Sequence, residues 1–290
     1  VSTVVERVTL EESGEPEAAA SCPVRSPMGQ CEAKEDSVAR PVSLLYRLYE
    51  RRLLRELDGS VPVPRHVGVI TDGNRRWAKE FGATTADGHR AGAEKIVEFL
   101  GWCHEVDVEI VTLYVLSKEN LARSPEEVEV LIEIISDMVE KIAELDGVRV
   151  QLVGDLDVLP ADLRARLEAA ASTGESGMRV NVAVGYGGRQ EIVNAVKSLL
   201  RTRAAEGADL ETIISELSPQ QIGEHLYTKG QPDPDLIIRS SGEQRLSGFL
   251  MWQSAYSEFY FCEAYWPDFR RTDFLRAVRA YGLRQRRFGR

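Results

Sequence analysis

The sequence predicts an α/β fold: a single domain with a largely parallel central sheet of about six strands, flanked by helices, with a hydrophobic tunnel beside the sheet. Two observations carry the sheet. Short runs rich in Val, Ile and Leu alternate with longer segments of helical period, and several of those runs are apolar almost throughout, as strands buried on both faces are. The tunnel rests on a third, the helical stretch after Pro125, whose apolar stripe is wide enough for two neighbours. A second subunit, or core packing alone, accounts for that stripe equally well.

Residues 1–39 mix Glu, Ser, Pro, Ala and Gly with little aliphatic periodicity and read as a disordered acidic tail. Residues 40–58 read as an amphipathic helix, with Leu45, Leu48, Tyr49, Leu53 and Leu57 near helical spacing and basic residues between them. Such a helix packs on the domain or lies on a membrane surface, and the residues leave both open. Residues 59–290 form the domain itself, entered through a linker that ends at Pro64.

Within it, Val67, Val69 and Ile70 suit a buried strand that stops at the turn Asp72-Gly73-Asn74, and a helix follows from Arg75. Residues 88–106 are helical, and residues 109–116 are a second buried strand. Ser124 caps a long helix opened by Pro125 and two acids, with Val128, Leu131, Ile135, Met138, Ile142 and Leu145 three or four apart. Strand 148–153, helix 161–171, strand 179–184 and helix 190–205 continue the alternation, followed by shorter helical pieces at 210–217 and 219–227. A stiff loop at 231–235 leads into strand 236–238, which delivers Arg239 to the same edge as Asp72. Residues 249–252 and 259–261 complete the sheet, and a helix over 274–288 closes the chain.

Composition narrows the function classes. A net charge of −10 argues against a general nucleic-acid binder. The charge is uneven, because residues 270–290 are rich in arginine with Asp273 as their only acid. That basic stretch is a solvated helix face or a contact for phosphate, RNA or anionic lipid. Cys22, Cys31, Cys103 and Cys262 lie far apart without metal-ligand spacing, which fits reduced thiols in a cytoplasmic protein. No run of 18 uncharged apolar residues spans a bilayer, and no basic-then-apolar start marks a secretory signal. The expected location is cytoplasmic, with peripheral contact at the inner face of the plasma membrane if the first helix lies on lipid.

The chemistry concentrates in a few stretches. In His66-Val-Gly-Val-Ile-Thr-Asp-Gly-Asn-Arg-Arg-Trp77, Asp72 at a strand's end could hold a divalent metal while Arg76 takes a phosphate; an Asp-Gly turn with solvated arginines is the plainer alternative. Arg239 and Arg245 flank Ser240-Ser-Gly-Glu-Gln244, with Ser247 beyond. Two guanidiniums there match phosphate oxygens, or are surface arginines on a loop.

Those stretches, with Leu113-Tyr-Val-Leu-Ser-Lys-Glu-Asn120, Asn181-Val-Ala-Val-Gly-Tyr-Gly-Gly-Arg189 and Trp252-Gln-Ser-Ala-Tyr-Ser-Glu258, occur in an order and at spacings that resemble the cis-prenyltransferases, the undecaprenyl diphosphate synthase family, over roughly residues 60–290. The resemblance implies condensation of isopentenyl diphosphate with an allylic diphosphate, with Mg²⁺ as cofactor and Asp72 as its ligand. It further implies that Gly73, Asn74, Arg75, Arg76 and Trp77 cradle the allylic diphosphate with His89 at the edge, and that Arg239, Arg245 and Ser247 bind isopentenyl diphosphate. Asn120, taken with Asp72 as catalytic, and Ser117 fall near the reacting carbons, Arg123 and Glu127 in a supporting network, and Glu258 at the metal or diphosphate. Each of these five residues is equally well explained as a helix cap or a buried polar partner, and for Glu127, in the first turn of a helix, capping and dipole compensation are the stronger explanation. Arg287 and Gly289 match a C-terminal element that reaches the partner's site, which implies a homodimer.

Arg75, Thr85 and Leu121 depart from the common family pattern, which has Gly, Arg and Trp there. The guanidinium gained at 75 offsets the one missing at 85. Val115, Leu116 and Leu121 are the candidate chain-length residues, with Val115 larger than the Ala common in long-chain members. The wording of the motifs is nearer the actinobacterial short-chain branch. A short product is therefore expected, (2Z,6E)-farnesyl diphosphate from geranyl diphosphate. The alternatives are a long-chain polyprenyl diphosphate synthase and a non-catalytic prenyltransferase subunit.

Overall fold

A computed structural model of the protein describes residues 44–57, 61–171 and 177–284. The first helix, α1 (Leu44–Leu57), buries Leu53 and Leu57. β1 (His66–Ile70) follows, fully buried, and then α2 (Asn74–Glu80) and α3 (Thr85–Glu105). Thr84 starts α3 with a capping box, its hydroxyl accepting from the Asp87 N–H while Asp87 accepts from the Thr84 N–H. β2 (Ile110–Ser117) leads through a short 3₁₀ turn (Lys118–Ala122) to α4 (Pro125–Ala143), which Ser124 caps as its sequence implies. β3 (Val148–Val153), α5 (Ala161–Ala171), β4 (Met178–Tyr186) and α6 (Gly188–Ala205) continue the alternation. After the short helices α7 (Leu210–Glu216) and α8 (Pro219–Gly223) come β5 (Leu236–Arg239), β6 (Glu258–Phe261) and α9 (Arg271–Leu283).

The six strands form one sheet in the order β3-β4-β2-β1-β5-β6, and every neighbouring pair is parallel. The order places β1 centrally, so Ile70 ends the strand beside both Tyr114 of β2 and Arg239 of β5. Everything that follows these three strands therefore meets at one edge. The larger core cluster joins Val67, Val69, Val111 and Leu113 to Phe99, Leu131, Ile135 and Phe274 from the helices. A smaller one on the other side gathers Ile70, Tyr114, Tyr186, Ile237 and Phe249.

Three expectations are corrected. Residues 249–252 are a turn and not a strand, with Phe249 and Leu250 both 0% exposed and Leu250 at φ 44°. The helix expected over 219–227 stops at Gly223, and the last helix begins at Arg271, where Asp273 accepts from the Arg270 N–H. The acidic tail and the C-terminal Arg287 and Gly289 lie outside the described residues. Among the described residues, no helix is long and apolar enough to cross a membrane.

Candidate active site

The site begins where β1 ends. Asp72 is held by its backbone: its N–H donates to Ser240 Oγ at 2.9 Å, and its carbonyl accepts from that hydroxyl at 2.7 Å and from the Trp266 N–H at 3.0 Å. Gly73 then turns at φ 107°, where a Cβ would stand 2.7 Å from the Tyr265 ring, so conformation and space both demand glycine. Asn74 opens α2 close against α3. A Cβ on Gly88 would lie 2.3 Å from the Asn74 carbonyl oxygen, and one on Gly92 2.5 Å from its side-chain Oδ1.

From β5, the guanidinium of Arg239 enters almost fully buried. It donates to Asp72 Oδ2 at 2.8 Å, to Ser247 Oγ at 3.0 Å and to the Arg245 carbonyl. Arg76 approaches from α2, 3.3 Å from Asp72 Oδ1, and donates to Ser241 at 2.7 Å. Burial alone would raise the Asp72 pKa, but hydrogen bonds from Arg239 and Ser241 and the charges of Arg239 and Arg76 outweigh it. The carboxyl is held below its ordinary value and is ionised at neutral pH. Arg245 sits nearer solvent, paired with Glu243, which also faces Arg76 at 3.3 Å.

The third wall comes from β2. Its register with β4 skips Val115: Tyr114 stands opposite Ala183 and Leu116 opposite Val184. This bulge turns Leu116 into the larger core, 0% exposed, and leaves Val115 half-buried. Ser117 and Asn120 cap the 3₁₀ turn reciprocally at 3.2 Å, the Ser117 N–H donating to Asn120 Oδ1 and the Asn120 N–H to Ser117 Oγ. Arg123 lies 3.0 Å from Glu127, and Arg75 lies 3.7 Å from the same carboxylate. His89 Nε2 is buried with no hydrogen-bond partner. Burial, with the charges of Arg123 and Arg75, lowers its pKa to about 4, so the imidazole is neutral at pH 7.

These walls enclose one cavity of about 1060 Å³. Of the residues singled out in the sequence, Asp72, Gly73, Asn74, Arg75 and Arg76 line it from β1 and α2. His89, Val115, Ser117, Asn120 and Arg123 line it from α3, β2 and the following turn, and Arg239, Arg245 and Ser247 from the far side. Its apolar wall is Ile70, Ala78, Val115 and Leu131.

Four expected residues do not line it. Trp77 packs against Phe81 with ring centroids 5.1 Å apart, Leu116 is turned away by the bulge, and Leu121 packs on the larger core. Glu258 is the clearest correction. It pairs in register with Leu236 at the opposite end of the sheet from Arg239, and it binds Arg284, so within this chain it does not share a site with Asp72. Sequence reasoning missed Lys79, Tyr114 and Glu119, all cavity-lining. Lys79 had a signal: it follows Arg75 by four residues and Arg76 by three on one helix.

Among the described residues, no group of three or more His, Cys, Asp and Glu side chains could hold a metal. Asp72 instead offers one ionised, partly exposed carboxylate at the mouth of a cationic cavity. That donor set fits Mg²⁺, which takes one or two carboxylates and completes its shell with substrate phosphates and water.

Comparison with known proteins agrees with this geometry. Residues 70–289 match the family model for undecaprenyl diphosphate synthases. The chain is 60% identical over 248 residues to a (2Z,6E)-farnesyl diphosphate synthase of Thermobifida fusca, covering 84% of this chain and 97% of that protein. It is 55% identical over 251 residues to a short-chain Z-isoprenyl diphosphate synthase of Mycobacterium bovis, covering 85% and 96%. An isoprenyl transferase 1 of Corynebacterium efficiens is 54% identical over 250 residues, covering 85% and 97%. Among solved structures, lavandulyl diphosphate synthase from Lavandula x intermedia, in complex with dimethylallyl diphosphate, superposes with a TM-score of 0.73 at 33% identity, over 79% of this chain and 99% of that one.

Proposed function

The chain belongs to the undecaprenyl diphosphate synthase family and is a cis-prenyltransferase, and from that premise we propose that it condenses isopentenyl diphosphate with geranyl diphosphate to (2Z,6E)-farnesyl diphosphate. The observation that carries the reading is the convergence of Asp72, Arg76, Arg239 and Ser247 on one cavity that also has an apolar wall of Ile70, Ala78, Val115 and Leu131. Two diphosphates need cations, and two prenyl groups need a water-poor wall. In the reaction, a carbon–carbon bond forms between the terminal methylene carbon of isopentenyl diphosphate and C1 of the allylic substrate. The allylic C–O bond breaks, pyrophosphate leaves, and a proton is lost from C2 of the isopentenyl unit to give the Z double bond.

Each residue then has a proposed part. Arg75, Arg76 and Lys79 on α2 neutralise the allylic diphosphate, and Arg239, Arg245 and Ser247 bind the isopentenyl diphosphate. The Asn120 NH₂ orients the reacting end of one substrate, with its Oδ1 fixed by Ser117. Asp72 would hold Mg²⁺, which would supply Lewis-acid stabilisation of the leaving pyrophosphate. Neutral His89 adds a hydrogen bond without adding charge. Val115 limits the depth open to the growing chain, which supports the short product.

The proposal includes a homodimer, consistent with exposed apolar Tyr256 and Leu283 near the edge strand β6. It also includes a cytoplasmic enzyme whose α1 touches the membrane's inner face. The outward face of α1 carries exposed Arg47, Arg51 and Arg55 beside Leu48. Purified protein with Mg²⁺, labelled isopentenyl diphosphate and geranyl diphosphate tests the reaction. Intact protein forms a prenyl diphosphate and Asp72→Ala does not; equal turnover by both would remove Asp72 from the mechanism.

A further inference from the structure

Ser241 sits two residues beyond the end of β5 at φ 78°, a region that L side chains rarely adopt and glycine enters freely. The residue is 7% exposed and lies outside the cavity lining. Its backbone is pinned in that conformation. The Ser241 N–H donates to the Ala264 carbonyl at 2.7 Å, and the N–H of Gly242, itself at φ 75°, donates to the Cys262 carbonyl at 2.8 Å. A glycine at 241 would make the same backbone bond without strain, so the reason for a serine lies in its side chain.

That side chain holds the guanidinium of Arg76. Arg76 Nη2 donates to Ser241 Oγ at 2.7 Å, closer than the 3.3 Å at which the guanidinium approaches Asp72 Oδ1 and Glu243 Oε1. The Tyr265 ring covers it from another side, with its centroid 5.5 Å from the guanidinium carbon. The same serine hydroxyl is hydrogen-bonded to the Asp72 carboxylate. One oxygen thus accepts from the cation, donates to the acid and ties the two together. Such a tie matters because the Arg76 side chain is 43% exposed and its long stem has many rotamers to explore. Ser247 repeats the arrangement across the site: it too is an L residue at positive φ, 49°, and its Oγ accepts from Arg239 at 3.0 Å. Each of the two arginines paired with Asp72 is therefore held by a serine in a conformation suited to glycine.

We propose that Ser241 is a positioning residue for the allylic diphosphate: its hydroxyl holds Arg76 in the rotamer that meets the diphosphate beside Asp72, without touching substrate. This rests on the reading that Arg76 neutralises that diphosphate. Ser241→Gly removes the hydroxyl and relieves the backbone, Ser241→Ala removes the hydroxyl and keeps the backbone strained, and Arg76→Met tests the cation itself. In steady-state kinetics on the full chain with Mg²⁺, both serine variants should raise the KM for geranyl diphosphate about tenfold. That is the low end for a hydrogen bond to a charged group, because Arg76 keeps its other partners. The KM for isopentenyl diphosphate should stay within about twofold. Urea unfolding should separate the two variants, with Ser241→Gly the more stable. A serine kept only for folding would give a kinetic defect that follows stability, whereas the positioning role gives equal defects at unequal stability. Added to Arg76→Met, either serine substitution should change the geranyl KM by less than about twofold, because both act through one cation. An unchanged geranyl KM in both serine variants, equal rises in both KM values, or a defect confined to the less stable variant overturns the positioning role. If Arg76→Met raises the geranyl KM while the serine variants do not, only the role of Ser241 fails. If Arg76→Met also leaves it unchanged, the reading of Arg76 fails with it.

Discussion

Replacing Arg239 by Met removes the cation on which both halves of the site converge while keeping a long unbranched side chain. The guanidinium side chain is 4% exposed and lies 2.8 Å from Asp72 Oδ2. Breaking a buried ion pair usually costs about 3–5 kcal/mol. Here the Asp72 side chain is 30% exposed and keeps Arg76 at 3.3 Å. The expected loss is therefore smaller, about 2–3 kcal/mol, which for a domain of this size lowers the melting temperature by roughly 5–10 °C. Catalysis should suffer separately, since a lost charge-assisted hydrogen bond is worth about 1.5–3 kcal/mol. That corresponds to a fall in kcat/KM of roughly 10- to 100-fold. Urea unfolding at pH 7, followed by tryptophan fluorescence, reads the first quantity, and steady-state kinetics under saturating Mg²⁺ read the second. A stability loss under about 1 kcal/mol, or an unchanged kcat/KM, would refute the view that Arg239 links Asp72 to the clamp.

Three further expectations follow from single positions. His66 is 1% exposed between the Pro232 carbonyl and Thr112 Oγ1, and burial lowers its pKa from 6.5 to about 4. The unfolded chain takes up that proton first, so the stabilisation is complete above pH 6.5 and declines toward pH 4. By pH 5 this group alone should cost about 2 kcal/mol. Urea midpoints at the two pH values measure the loss, and a His66→Gln variant with the same pH slope would show that the loss arises elsewhere. Val115→Ala should lengthen the product, read by chromatography of the dephosphorylated alcohols; an unchanged length would remove Val115 as the stop. Arg75→Gly should raise the KM for the allylic diphosphate several-fold, and unaltered kinetics would show that Arg75 serves only to pair with Glu127.

Much of this architecture was legible because its signals are local. The buried strands β1 and β2 are nearly continuous in Val, Ile and Leu, and α4 announces itself by Ser124, Pro125 and a stripe of three- and four-residue steps. The motif that follows β1 likewise placed Asp72 and Arg76, and the motif after β5 placed Arg239, Arg245 and Ser247. What failed depends on register and packing. A short apolar run such as 249–252 looks the same whether it pairs as a strand or folds into a turn that buries its first two side chains. Leu116 follows Val115 by one residue, yet a single bulge decides which of them meets the cavity. Glu258 lies near the site motifs in sequence, but β6 begins at the far end of the sheet. Ser241 carries no signal of its own in a Ser-Ser-Gly loop, since serine is an ordinary turn residue; its positive φ and its bond to Arg76 appear only in the fold.

Product identity is the measurement that bears most directly on the proposed reaction. Purified protein should be incubated with Mg²⁺, labelled isopentenyl diphosphate and geranyl diphosphate, and separately with farnesyl diphosphate. The length and double-bond geometry of the products are then determined. We expect a single C15 product with one new Z double bond from geranyl diphosphate. A ladder extending to C50 or beyond from farnesyl diphosphate would contradict the short-chain assignment and the limit set at Val115, and a new E double bond would contradict cis-prenyl transfer itself.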